Sequence, residues 1–240
     1  MSDMIDIGMD LSLLPEHKAI IDFGSSRDIF TIPDTTVKVK NLEFVPWGDN
    51  NDLPAVVQKK IGDSEIVGSN VDHLIKVAYG QGVKPFIRKV DGKDTWLEPC
   101  QDEDVLSFFE DNDIAGFFLE QCTDLVSFYN VFPEAIPNAG FDKIVSIRHK
   151  EAVFSRWAVA DKNTGNIIRH GYSPKWGDGA NDDNTELSYV LDRYNPALDL
   201  QTRIRERKVK VGDARFIIPV NIPTPGKVYY QEPPYYSIFK

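Results

Sequence analysis

Apolar positions along the chain follow two different periods. Between residues 52 and 80, and again between residues 101 and 128, they recur every three or four residues, which predicts four helices. The second helix can be capped by Asp63 or Ser64 and stops at Gly80 and Gly82, which permit the conformation that ends a helix. Its face toward the core is expected to consist of Val67, Val71, Leu74, Ile75 and Ala78.

The other three helices are delimited by equally local signals. The first is expected from Asp52 to Gly62, with Pro54 in its first turn, where a missing N–H costs nothing. The third covers Gln101 to Asn112, and Asn112-Asp113 separates it from the fourth, Ile114 to Phe128. The fourth carries an apolar stripe rich in Phe, so we expect this stripe to be buried together with the thiol of Cys122.

Strand patterns surround and follow the helices. Asp91-Gly92 lies between two apolar runs and predicts a β-hairpin. After Tyr129 the period shortens to that of a meander of strands. The expected strands are 35–40, 83–90 with 95–97, 130–135, 143–150, 153–160, 167–172, 187–194 and 215–220.

These patterns predict an α+β fold in which helical pairs pack on an antiparallel sheet or meander. Residues 1–33 show apolar content without a helical period and are expected to form an N-terminal arm. Residues 34–200 would form the α+β domain. Residues 201–240 would begin a further region, because the composition changes after Asn195-Pro196.

Composition narrows the class of protein. The formal charge of −10 argues against a protein that coats nucleic acid over its whole surface. Two cysteines, Cys100 and Cys122, are too few for a disulfide framework and fit a reducing cytoplasm. The acidic N-terminus lacks the basic region of a secretory signal, and no apolar run approaches the roughly 18 residues of a membrane span. We therefore expect no membrane partner.

The motifs of common enzymes do not occur in the sequence. It contains no phosphate-binding glycine loop, no nucleophile elbow, no H-E-x-x-H and no C-x-x-C, and its four histidines are scattered. Asp49, Asp52 and Asp63 leave open a metal-dependent hydrolase, although turn formation and helix capping explain them as well. We predict no catalytic residue, no metal and no cofactor.

A basic run interrupts the acidic chain between residues 201 and 210. It contains Arg203, Arg205, Arg207, Lys208 and Lys210. A solvated surface paired with carboxylates explains it, and so does a contact with phosphates or with an acidic neighbour. Such a contact needs charge without base-reading geometry, so the run predicts a contact with DNA or a subunit and no sequence recognition.

The last residues are rich in aromatic side chains. Tyr229, Tyr230, Tyr235, Tyr236 and Phe239 form, with Ile238, a large apolar set with nothing after it to cover it. An exposed apolar area of this kind marks an interface. A chain that stopped before the natural end of its domain would also leave such side chains uncovered.

Short motifs occur in a fixed order along the chain. They are Pro46-Trp47-Gly48, 50–54 (NNDLP), 70–75 (NVDHLI), 78–82 (AYGQG), 111–113 (DND), 130–134 (NVFPE), 144–149, Glu151-Ala152 and 172–176 (YSPKW). The motifs of the first half resemble the N-terminal part of tailed-phage portal proteins. The later motifs resemble the same family, in the form of Bacteroidetes-type phage or prophage portals, so that the resemblance covers most of residues 40–236.

The resemblance implies a structural protein of the virion, assembled in the host cytoplasm. It implies a dodecameric ring at one capsid vertex, through which double-stranded DNA passes, with terminase, capsid and head-completion proteins as partners. This chain would supply the wing region and the start of the stem or clip, and it would be truncated relative to the family. The alternatives are the metal-dependent hydrolase and a generic phage α+β interaction module.

Overall fold

The structure, a computed structural model, describes the chain in four main ranges. These are residues 35–162, 165–176, 179–191 and 215–239, the side chains of 238 and 239 excepted, with the strand backbones 5–8, 11–14 and 19–22. Helices and antiparallel strands both occur, so the predicted α+β class is confirmed. Within the described residues, no helix has the length and apolar character needed to cross a membrane.

Four helices form where the sequence predicts them. They are α1 (Leu53–Asp63), α2 (Glu65–Tyr79), α3 (Glu103–Asp111) and α4 (Ile114–Phe128). Three of them begin at a side-chain cap: Ser64 accepts from the N–H of Val67, Asp102 from that of Val105 and Asp113 from that of Gly116. Such caps satisfy backbone donors that the first turn leaves without a partner, so local sequence sets these boundaries.

The described strands are short except around the hairpin and the centre of the sheet. They are β1 (Ile5–Gly8), β2 (Leu11–Leu14), β3 (Ala19–Asp22), β4 (Val37–Val39), β5 (Leu42–Phe44), β6 (Phe86–Asp91), β7 (Asp94–Pro99), β8 (Asn130–Pro137), β9 (Ile144–Lys150), β10 (Ser155–Trp157), β11 (Arg169–Tyr172), β12 (Glu186–Val190), β13 (Phe216–Ile217) and β14 (Val220–Asn221).

One seven-stranded sheet organises the second half of the chain. Its order is β10-β11-β12-β13-β8-β14, and β9 pairs with β8 as well. The pairs are antiparallel except β12–β13, where Tyr189 lies beside Phe216 in parallel register. A parallel pair needs a connection that returns to the same end of the sheet, so this part of the sheet is not the simple meander that the sequence predicts.

Aromatic side chains fill the core. Trp47, from the loop before α1, lies among Phe128 of α4, Phe132 of β8 and Tyr230, and the Tyr230 ring stacks on it at 4.3 Å. Trp157 of β10 packs against Phe132 at 4.7 Å between ring centroids. The core is therefore built jointly by α1, α4, the sheet and the segment near residue 230.

Residues 215–236 belong to this same packing. β13 and β14 pair with β8, and the Tyr230 hydroxyl donates to the carbonyl of Val45 at 2.8 Å. A domain boundary at residue 201 stays a prediction. Residues 215–236 nevertheless pack with the part of the chain that precedes this boundary.

Candidate assembly surface

Helix α2 presents apolar residues on two sides. Val71 is buried, and Val67 and Ile75 are half-buried, as expected for the core side. The prediction that Leu74 and Ala78 are buried with them is wrong, because the helix is exposed on that flank. The five positions predicted as one face do share one side of the helix, about 100° wide, but neighbouring elements cover only part of that side.

The outer side of α2 is an apolar stripe. Ile66 is 77% exposed, Val77 is 63% exposed and Leu74 is 51% exposed. Ile66 and Val77 are eleven residues apart, which is close to three helical turns, so they lie on one line along the helix. We call the set Ile66, Leu74 and Val77 the outer stripe of α2. Sequence reasoning missed it because only one face of the helix was expected to be apolar.

The β6–β7 hairpin leaves both of its faces open to solvent. All twelve strand residues are exposed. Opposed residues share a face, and the register pairs Phe86 with Pro99, Arg88 with Leu97 and Val90 with Thr95. This face, called the apolar face of the hairpin, carries Arg88 as its one charged residue.

The opposite face of the hairpin is polar by comparison. It pairs Ile87 with Glu98, Lys89 with Trp96 and Asp91 with Asp94. The indole N–H of Trp96 donates to Glu98 at 2.8 Å. Charges and this hydrogen bond make the second face compatible with water. The apolar face, by contrast, suits contact with another apolar surface.

Helix α3 is an acidic surface element beside the hairpin in sequence. Residues 101–113 contain six carboxylates and no Lys or Arg. Leu106 is 37% exposed, and Glu103 and Glu110 lie three residues before and four residues after it. These spacings place both carboxylates next to Leu106 on the helix surface.

The predicted basic contact site lies outside the described residues. Arg203, Arg205, Arg207, Lys208 and Lys210 therefore stay a prediction. Among the described residues, a pocket of about 490 Å³ is lined in part by Lys40, Arg169 and Arg215. Arg215 is bound to Glu186 at 3.0 Å. A hydrogen bond from Lys150, more than that from Arg215, lowers the pKa of the Glu186 carboxyl.

The aromatic residues near the end of the chain lie differently from the expectation. Tyr230 and Tyr236 are buried, so their predicted exposure is wrong, and Tyr229 and Tyr235 are half-buried. The reason is that this segment folds back over α4 and the loop before α1, where Tyr236 donates to the carbonyl of Ser127 at 3.2 Å. The side chain of Phe239 lies outside the described residues. A role of this segment in an interface stays a prediction.

The acidic loop before α1, residues 49–52, has a structural role. Asn51 Oδ1 accepts from the N–H of Trp47 at 2.9 Å and from Nε of Arg156 at 2.5 Å. Arg156 Nη2 donates to the Asn51 carbonyl at 2.6 Å. Burial lowers the pKa of Arg156 from its usual value to about 10, so the guanidinium stays charged at neutral pH. Among the described residues, no group of three or more His, Cys, Asp or Glu could hold a metal ion.

A buried acid–histidine pair lines a separate pocket of about 480 Å³. His149 Nε2 lies 3.1 Å from Asp124 Oδ2, which also accepts from the N–H of Ala152 at 2.7 Å. Gln121 Nε2 lies 2.6 Å from His149 Nδ1. These contacts join α4 to β9 and to the turn after it, so the pair holds the helix on the sheet.

Comparison with known proteins gives one structural likeness. No family model and no curated protein matches the chain. A chain from the neck of an empty gene transfer agent (GTA) particle, computed with C6 symmetry, aligns with a TM-score of 0.39 and 11% sequence identity. The alignment covers 65% of this chain and 40% of that chain, so the present chain spans less than half of its length.

Proposed function

We propose that this chain is a portal-like structural subunit of a tailed-phage or prophage particle, which acts by assembling into a ring and catalyses no reaction. The observation that carries the proposal is the exposure of apolar side chains on two surfaces, the outer stripe of α2 and the apolar face of the hairpin. Within the described residues none of these side chains belongs to a buried core cluster, so the core does not depend on them.

Two physical arguments link these surfaces to assembly. Apolar side chains grouped on a surface mark contacts with other molecules, because water disfavours leaving them exposed. A two-stranded hairpin without a covering layer is only marginally stable in water. Residues 86–99 fold as such a hairpin, so a partner that covers one of its faces would stabilise it.

The sequence resemblance supplies the kind of assembly. It implies a dodecameric ring at a capsid vertex, with terminase, capsid and head-completion proteins as partners and double-stranded DNA in the channel. The formal charge of −10 suits a channel wall, since an acidic wall would not bind phosphates tightly and DNA could slide. The place of action would be the virion, with assembly in the host cytoplasm.

The oligomeric mass of the protein tests the proposal. Native mass spectrometry and sedimentation of the purified chain are expected to show a concentration-dependent oligomer, with rings visible by electron microscopy. Val77→Glu in the outer stripe of α2 is expected to weaken association. Ala55→Glu, which adds the same charge at an exposed position of α1, is the matched control. A wild-type protein that stays monomeric at its highest soluble concentration would contradict the proposal.

The predicted basic run requires a separate experiment. Arg203→Glu combined with Arg205→Glu and Arg207→Glu is expected to weaken binding to double-stranded DNA in a salt-dependent way, if the run meets phosphates. If it meets a neighbouring subunit, the same variant changes the oligomeric mass and leaves DNA retention unchanged. The two contacts are thus told apart by one set of substitutions.

A further inference from the structure

We propose that, in the assembly inferred above, the apolar face of the hairpin of one copy docks on the outer side of α3 of the next copy, with Arg88 directed at Glu103 and Glu110. The inference rests on the proposed ring and identifies the surfaces by which one subunit would hold the next. The occupant of the hairpin's apolar face is thus a second copy of this chain.

The hairpin side of the contact combines apolar area with one positive charge. Phe86, Val90 and Leu97 on this face are each more than half exposed. Within the described residues, Arg88 has no ion-pair partner. An apolar face with a single unpaired cation fits an apolar surface that offers a carboxylate.

The outer side of α3 has the complementary composition. Leu106 provides an exposed apolar side chain between Glu103 and Glu110, and neither carboxylate has an ion-pair partner among the described residues. Segment 101–113 contains no base, so it repels a second acidic surface and attracts the basic strand β6. Opposite charge would therefore set both the partner and the orientation.

The two surfaces are different patches of the same chain, and this decides the symmetry. A contact between unlike patches is head-to-tail, and it continues from copy to copy until a ring closes. A contact of the hairpin with the same hairpin would instead stop at a dimer and would place Arg88 near Arg88. The charge pattern favours the head-to-tail arrangement.

Charge reversal in the full chain tests the contact. Arg88→Glu is expected to raise the dissociation constant of the assembly by about tenfold or more, because it places a carboxylate against carboxylates. Lys89→Glu is the matched control, since the same change occurs one residue away on the opposite face of the strand. Adding Glu103→Lys and Glu110→Lys to Arg88→Glu is expected to restore association.

Cross-linking tests the geometry independently of affinity. Cys100 and Cys122 are both buried and do not compete with an introduced thiol. Mixing Leu97→Cys protein with Leu106→Cys protein is expected to give a disulfide-linked dimer of the two variants. Trp96→Cys, on the other face of the hairpin, is expected to give little product with Leu106→Cys.

The outcomes separate this inference from the proposed function. If the wild type assembles and Arg88→Glu behaves as Lys89→Glu does, or if Leu97→Cys cross-links mainly to itself, the hairpin–α3 contact is overturned while the ring proposal stands. If the wild type does not assemble at all, both are overturned. Circular dichroism of each variant confirms that the exposed substitutions leave the fold intact.

Discussion

His170 is a polar residue whose side chain is uncharged in the folded protein. Its ring is fully buried against Phe132 and Trp157, at 5.3 and 5.5 Å between centroids, and neither ring nitrogen has a hydrogen-bond partner among the described residues. Burial, together with the charges of Lys150 and Arg156, lowers the pKa of His170 from 6.5 to about 3. The imidazole is therefore neutral in the folded protein at neutral pH.

We expect His170→Phe to make the protein less sensitive to acid. In the unfolded chain His170 binds a proton below pH 6.5, whereas in the folded chain it binds one only near pH 3. The wild type therefore loses stability as pH falls from 6.5 toward 3. The slope is about 1.4 kcal/mol per pH unit. Urea unfolding at pH 7 and pH 5 should show about 2 kcal/mol less loss in the variant.

Substitution of an exposed histidine provides the control for this measurement. His73→Gln on α2 keeps the acid sensitivity of the wild type, because His73 is exposed. Carboxylates titrate in both proteins and cancel in the comparison. Equal acid sensitivity of His170→Phe and wild type would contradict the assignment of a neutral buried imidazole.

Asn51 combines a hydrogen-bonding role with an unusual backbone conformation. Its φ is +58°, and its side chain accepts from Trp47 and Arg156. We expect Asn51→Gly, which keeps this conformation, to cost about 3 kcal/mol because a buried guanidinium loses an acceptor. Asn51→Ala should cost about 1 kcal/mol more, owing to backbone strain. Thermal and urea unfolding measure both, and exposed Asn50→Ala should change little.

At the level of elements, two glycines differ in whether a larger side chain would fit. A Cβ at Gly171 in β11 would lie 2.6 Å from the ring of Phe44, whereas at Gly62 in α1 it would meet nothing within 4 Å. We expect Gly171→Ala to destabilise the protein by about 1–3 kcal/mol through overpacking. Gly62→Ala should stabilise it by about 0.5–1 kcal/mol, since it favours the helix. Differential scanning calorimetry would show the opposite signs, and the same sign for both would contradict this reading.

Local signals explain how far the elements could be predicted. Caps and glycines are read from a few neighbouring residues, so the limits of α1 to α4 and the hairpin turn at Gly92 were predicted closely. The apolar residues of α2 could not be assigned correctly, because burial depends on which elements are present to cover each side. The prediction of Leu74 as a core residue failed for this reason.

The candidate surface could be predicted even less from the sequence. A hairpin with alternating residues normally has one covered face, and nothing in its sequence shows that both faces of β6–β7 are open. For the aromatic residues 229–236 the error was the opposite: they were expected to be exposed but are buried or half-buried. Their partners lie far away in sequence, at Val45 and Ser127. Long-range packing decided both cases.

At the scale of the whole molecule, Tyr230 joins three distant parts of the chain. Its hydroxyl donates to Val45 and accepts from the N–H of Trp157 at 2.9 Å, while its ring stacks on Trp47. Burial raises the pKa of Tyr230 well above its usual value of 10, so the phenol keeps the proton that it donates. The segment around residue 230 is therefore a structural part of the core.

We expect Tyr230→Phe to cost about 2–3 kcal/mol, because two buried backbone groups lose their partner. Tyr229→Phe, at a half-buried position with one longer bond of 3.2 Å, should cost less. Far-ultraviolet and near-ultraviolet circular dichroism in urea should give one common transition shifted by Tyr230→Phe. Two separate transitions would instead support a domain that begins near residue 201.

The position of Tyr230 also affects how the protein is made. A ribosome produces the helices and β8 to β12 well before it reaches residue 230, yet the stack on Trp47 needs that residue. Contacts that span 185 residues close slowly, because a long loop must first be ordered. Until residue 236 has emerged, the nascent chain lacks the side chains that stack on Trp47 and bond to the Ser127 carbonyl. We therefore infer that the core closes only after this segment has been made and that chaperones have most access before it.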